Sequence, residues 1–204
     1  MYIIGDVHGK YKQYKTLLKG KQNSIAVGDM GVGFVRTHGA MEGESHTNPP
    51  YDFMKNGNHR FIRGNHDNSG VCRKHTQCIK DGTFENGVFY CGGAFSVDKA
   101  YRTEHFNWWS DEELSYDEAD KALSVYLESK PEVVVTHDAP VEVVNRIHTS
   151  HHRFDDSFTQ RYLQNMFEQH QPKYWFFGHH HVSWSETVNG TIFRCLNELE
   201  MIEL

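Results

Sequence analysis

Asp6 and His8 stand two residues apart in "GDVHG", directly after the apolar run "MYII". Taken alone, Asp6 reads as a helix cap and His8 as a turn residue. The same ending then recurs along the chain. "SIAV" runs into "GDMG" with Asp29, and "HRFIR" into "GNHD" with Asn65, His66 and Asp67. "EVVV" runs into "THDAP" with His137 and Asp138, and "KYWFF" into "GHHH" with His179, His180 and His181. Carboxylates and imidazoles are the groups that bind divalent transition metals and move protons. In open α/β sheets ligands bind outside the carboxyl ends of the strands, which predicts that these endings converge. An extended backbone turns residues i and i+2 to one side. Asp6 therefore pairs with His8 and His179 with His181, while His180 points elsewhere. Glycine before four of the five clusters permits tight turns and close backbone approach.

The mixed nitrogen and oxygen set, with no cysteine inside the motifs, suits Mn, Fe, Co, Ni or Zn rather than a thiolate site. Asp6, His8, Asp29, Asn65, His137, His179 and His181 are too many for one tetrahedral ion. They suit two ions that share a carboxylate and a water. Two divalent cations less two carboxylates leave a positive centre, and Asn65 adds an oxygen without adding charge. Such a centre attracts a phosphate ester and acidifies the water that attacks it. A leaving group also needs a proton, and His66, beside a ligand, is the candidate general acid. Asp67 reads as a loop or capping residue, and Asp138 as a partner that orients a ligand imidazole. Arg36, Arg63, Arg102 and Arg153 carry forks suited to phosphate oxygens, with surface salt bridges as their expected role. His151 and His152 are expected in solvent. Trp108 and Trp109 are expected to pack or anchor a loop rather than stack on a base.

The elements that must position these groups follow from hydrophobic periodicity. Strands are predicted at 1–5, 24–28, 59–63, 87–91, 132–136 and 173–178. Helices are predicted at 10–19, at 116–130 with Ser115 and Glu118 at capping-box spacing, and at 154–170. "SWSETV" and "TIFRCL" flank Asn189-Gly190, a two-residue hairpin turn. The first three-quarters read as α/β and the tail as β-rich. Two long polar connections, 32–58 and 92–115, have the length of functional loops or of surface decoration.

With 204 residues the chain suits one domain, residues 1–204. Its formal charge of −6 disfavours a large duplex nucleic acid as partner. No apolar run reaches the roughly 20 residues of a membrane span. The first strand starts at residue 1, which leaves no room for a signal peptide. Cys72, Cys78, Cys91 and Cys195 lack CxxC spacing and read as reduced, so the cytoplasm is the expected compartment.

Taken in order, "GDVHG", "GDMG", "GNHD", the "TH" of "THDAP" and "GHHH" match the D-x-H, GD, GNH-[DE], H and GH-x-H blocks of one family. The chain resembles the calcineurin-like metallophosphoesterase superfamily over residues 5–181, and "GGAFSVDKAYR" followed by "WW" resembles its small bacterial and phage members. The resemblance implies a four-layer α/β/β/α sandwich of two mixed sheets with the active site at the strand C-terminal ends. It implies two divalent metal ions, Mn first and Fe, Ni, Co or Zn as alternatives. By that match Asp6, His8, Asp29 and His181 would hold one ion. Asp29, Asn65, His137 and His179 would hold the other, and His66 would be catalytic. The protein Ser/Thr phosphatase branch carries GD-x-x-DRG and GNHE, whereas Val32, Gly33 and Asp67 stand here. The expected activity is hydrolysis of a phosphate monoester or diester by metal-bound hydroxide. The substrate would be a nucleotide, a small molecule or a phosphoprotein. A non-catalytic metal-binding scaffold for protein interaction is the rival, and intact His66 with a full ligand set argues against it. The choice between protein phosphatase and nucleotide phosphodiesterase stays open, as does the oligomeric state.

Overall fold

A computed structural model describes residues 1–35, 48–148 and 157–204. Arg36, His38, His46, His151, His152 and Arg153 lie outside the described residues, as does the start of the helix predicted at 154–170. The first third of the chain alternates strands and helices: β1 (Tyr2–Ile4), α1 (Tyr11–Leu17), β2 (Ser24–Ala26), α2 (Tyr51–Gly57), β3 (His59–Phe61) and α3 (Ser69–Cys72). There follow β4 (Thr83–Glu85), β5 (Val88–Cys91), a 3-10 turn at Lys99–Tyr101, α4 (Tyr116–Ser129), β6 (Val133–Thr136) and α5 (Val141–Ile147). The chain ends with α6 (Phe158–Gln169), β7 (Tyr174–Phe177), β8 (Trp184–Val188), β9 (Thr191–Cys195) and β10 (Met201–Glu203).

Two mixed sheets result, ordered β10-β1-β2-β3 and β4-β5-β6-β7-β9-β8. Parallel pairs form their centres, and antiparallel β10, β4 and β8 lie at the edges. The period of two assigns each strand residue to a layer. Ile3, Ile25, Val27 and Ile62 of one sheet meet Val88, Tyr90, Val135 and Phe176 of the other in an inter-sheet core. The alternate residues Ile4, Ala26 and Phe61 face outward onto Tyr14, Leu18 and Met54 from and beside α1 and α2. On the opposite side Phe89, Val134, Trp175, Phe177 and Phe193 pack against Ala122, Tyr126, Val144, Leu163 and Phe167 of α4, α5 and α6. The layers therefore run helix, sheet, sheet, helix. Strands buried on both faces explain why "VVV" and "YWFF" read as continuous apolar runs.

Local chemistry supports this plan. Ser115 Oγ accepts from the Glu118 N–H at 3.3 Å and Glu118 Oε2 accepts from the Ser115 N–H at 2.9 Å, closing the capping box of α4. Asn189 and Gly190 take φ of 48° and 87°, the left-handed pair that a tight hairpin requires. Ile4 pairs with Ala26 across β1 and β2, so the acids that follow each strand emerge at one edge. A slip of one residue would exchange Ile3 and Ile4 between layers and is opposed by both cores. β9 is antiparallel to β8 but parallel to β7, which brings the residues after Cys195 to that same edge.

Candidate metal centre

All five strand endings meet at this edge. Asp6, Asp29 and His137 are almost wholly buried. His8 Nε2 and His181 Nε2 face each other at 2.9 Å. Asp6 Oδ2 lies 3.3 Å from His181 Nε2. One donor atom from each of Asp6, His8, Asp29 and His181 falls within 4.8 Å of all the others. Asp29 looks both ways: Oδ2 is 3.7 Å from His8 Nε2, and Oδ1 is 3.3 Å from His137 Nε2. The latter nitrogen is also 3.1 Å from Asn65 Oδ1. The ring of His179 lies 5.1 Å from that of His137.

The backbone bends sharply to deliver these groups. His8, Asp29, His179 and His181 all have left-handed φ, at 47°, 47°, 64° and 52°. Such conformations are uncommon outside glycine and gather at functional sites. Gly28, with φ of +120°, lets the loop after β2 pass so close to His137 that a Cβ there would lie 2.2 Å from Nδ1. That nitrogen donates to the Val27 carbonyl at 2.8 Å, which turns Nε2 toward Asp29 and Asn65. Asp67 accepts backbone N–H bonds from Met30, Gly31, Val32 and Gly64, the first at 3.2 Å and the last at 2.8 Å. It ties the loop after β2 to the loop after β3. Asp6 does not cap α1, whose N-cap is Lys10 with no side-chain bond.

The charges compete for compensation. Burial works against ionised Asp29, yet His137, His66 and His8 hold it well below the usual carboxylate range. Burial likewise opposes charge on His137, but Asp29 and Asp6 push it up to about 10. His179 is driven by burial down to about 3, against the pull of Asp138. His66 falls to about 4, chiefly through burial, with Asp29 pulling it up and Arg102 pushing it down. Asp6 Oδ1 is buried and has no hydrogen-bond partner. A buried carboxylate oxygen without a partner, on a residue whose other oxygen lies among imidazoles, fits a centre that takes a divalent cation, and the donor set has the nitrogen–oxygen character of Mn, Fe or Zn sites.

Around this centre several side chains have roles that spacing did not disclose. Arg102 Nη2 donates to His66 Nε2 at 2.8 Å while Asp98 grips the same guanidinium, Nε to Oδ1 at 2.6 Å and Nη2 to Oδ2 at 2.9 Å. Phe34 stacks on His66 at 4.8 Å and 3°. Arg63 is a buried strut rather than a surface residue. It pairs with Asp81 at 2.7 Å and donates to the carbonyls of Asp111 and Glu112 at 3.0 and 2.7 Å. Glu198, which follows β9, lies 3.8 Å from His8 Nε2 and pairs with Lys10. The apposition of β9 and β7 was not readable from a hairpin motif, so nothing in the sequence marked it. Asp138 orients His180, accepting from its Nε2 at 2.9 Å, rather than a candidate ligand. His180 is thereby turned toward Asp138 and His148. Trp109 is buried, 6.2 Å from the ring of Phe34.

Two mixed sheets stacked between helices, with a carboxylate–histidine cluster at the strand ends, define an α/β sandwich protein with a candidate metal centre. The family model for calcineurin-like phosphoesterases matches residues 1–183, and the chain belongs to that family. No curated protein matches the chain at a significant level. Among solved structures it is similar to "GAP50 the anchor in the inner membrane complex of Plasmodium", with 7% identity and a TM-score of 0.47, over 97% of this chain and 71% of that one. Among the described residues no helix is long and apolar enough to cross a membrane.

Proposed function

We propose that this protein hydrolyses a phosphate monoester or diester with two divalent metal ions, Mn²⁺ foremost. The observation that carries the reading is the convergence of Asp6, His8, Asp29 and His181, each with a donor atom within 4.8 Å of all the others. In this reading those residues hold one ion, and Asp29, Asn65, His137 and His179 hold the other. The opposite aim of the two Asp29 oxygens supports its place between them. When bound, such ions lower the pKa of a water and neutralise phosphoryl oxygens. The chain supplies the rest. Asp67 and the Val27 carbonyl hold the ligand loops in place before substrate arrives. Arg102 presents a fork to an incoming phosphate beside His66. A phosphate that draws Arg102 away frees His66 Nε2 and opposes the charge that depresses its basicity. His66 then takes up a proton and hands it to the leaving oxygen. Four free cysteines support a reducing compartment, and we place the protein in the cytoplasm.

The test is hydrolysis of p-nitrophenyl phosphate and bis-p-nitrophenyl phosphate with added Mn²⁺. Wild type is compared with His66→Ala and Asp29→Asn. His66→Ala should slow turnover by about 10²–10⁴-fold, and Asp29→Asn should reduce both metal uptake and turnover. The ratio of the two rates separates a phosphatase from a phosphodiesterase. Wild-type activity in both variants would refute the assignment, and an inert wild type that binds metal would favour the scaffold.

A further inference from the structure

Glu112 is a carboxylate only 4% exposed, and nothing in the chemistry above uses it. Both its oxygens serve Ser96. Oε1 accepts the Ser96 backbone N–H at 2.9 Å and Oε2 accepts the Ser96 hydroxyl at 2.5 Å. Ser96, 1% exposed, in turn accepts from Asn65 Nδ2 at 3.0 Å. At the other end of that amide, Asn65 Oδ1 faces His137 Nε2 at 3.1 Å.

The two ends of an Asn amide have nearly the same size but opposite hydrogen-bonding character. Shape alone does not determine which end faces a metal. A serine hydroxyl has one proton, and Glu112 takes it. Ser96 Oγ can then offer Asn65 only lone pairs, so the NH₂ must turn to Ser96 and the carbonyl oxygen to the centre. Glu112 is itself fixed from behind, because Arg63 donates to its backbone carbonyl at 2.7 Å. Arg63 stands two residues before Asn65, so the clamp closes on the loop that it controls. Ser96 and Glu112 both come from the 92–115 connection, from "GGAFS" and "SDEEL".

We infer that Ser96 and Glu112 are positioning residues that fix the amide orientation of Asn65 and so set the affinity of one metal position. This rests on the reading of Asn65 as a ligand. Loss of a hydrogen-bond partner behind a ligand costs about 10–100-fold in metal affinity.

The experiment titrates Mn²⁺ into the metal-stripped protein by calorimetry, with thermal melts as a folding control. Wild type should bind two ions. Ser96→Ala should weaken one of them by about 10–100-fold and leave the other unchanged. Glu112→Gln keeps the shape but cannot accept from both Ser96 groups, and it should weaken the same ion. Asn65→Asp removes the need for orientation, since a carboxylate has no N–H end. Adding Ser96→Ala to Asn65→Asp should therefore cost nothing further. A merely structural Ser96 would lower affinity in both backgrounds, and that result would overturn the inference. So would wild-type affinities in folded Ser96→Ala and Glu112→Gln. A wild type that takes up no Mn²⁺ would overturn the ligand reading itself, and the inference with it.

Discussion

Adding a methyl group at Gly64 attacks the centre without changing any candidate ligand. A Cβ at this position would stand 2.0 Å from Asp29 Oδ1, 2.4 Å from the Asp29 backbone nitrogen and 2.7 Å from His137 Nε2. Restoring an ordinary separation of about 3.5 Å requires a displacement of about 1–1.5 Å. The shift falls on Asp29, because its backbone nitrogen and its carboxylate are both in the way. A misplacement of about 1 Å at reacting groups costs on the order of 10²-fold. Gly64→Ala should therefore lower kcat/KM toward either p-nitrophenyl substrate by at least about 10²-fold. Overpacking should also cost about 1–3 kcal/mol of stability. Gly70→Ala is the control, since its nearest neighbour, Asn68 Oδ1, would be 3.5 Å away in ordinary contact. A folded Gly64→Ala protein with activity within threefold of wild type would refute the argument that Asp29 and His137 act where they now stand.

Other perturbations test separate parts of the account. Arg102→Ala removes a positive charge beside His66, whose pKa of about 4 owes most to burial and part to Arg102. That pKa should rise, moving the alkaline limb of the pH–rate profile, where His66 loses the proton it donates, to higher pH, and an unmoved limb would contradict the contact. Asp138 is held well below the usual carboxylate range, with His179 and His180 outweighing burial. Its stabilisation is therefore complete above the unfolded pKa of about 3.9 and is lost as pH falls toward the folded value. Asp138→Asn should lose about 2 kcal/mol at pH 7 and flatten the acid side of a denaturation series, whereas an unchanged slope would count against the buried pair. Ser115→Ala breaks the capping box of α4 and should cost about 1 kcal/mol, or roughly 2–4 °C in Tm, with calorimetry as the check.

Much of the candidate centre could be read from residue type because its candidate ligand positions are tied to strand ends. "GDVHG" and "GHHH" follow apolar runs whose period of two fixes both layer and exit point, as Ile3 and Ile4 show. The helix at Tyr116–Ser129 and the turn at Asn189-Gly190 carried their own local signals, a capping box and a left-handed pair. What the sequence concealed depends on tertiary contacts. β4 and β10 are three-residue edge strands, too short to show alternation, and β10 forms only by pairing with β1. Arg63 looked like any surface arginine until Asp81 and the carbonyls of Asp111 and Glu112 surrounded it. Arg102 and Ser96 belong to a connection without periodicity, and only the folded loop brings them to His66 and Asn65. Glu198 is adjacent to His8 solely because β9 runs parallel to β7.

The most direct measurement is an anomalous difference map from crystals grown with Mn²⁺. The account predicts two peaks that share Asp29, one among Asp6, His8 and His181 and the other among Asn65, His137 and His179. A map without peaks there, or with a single ion bound away from Asp29, would contradict it.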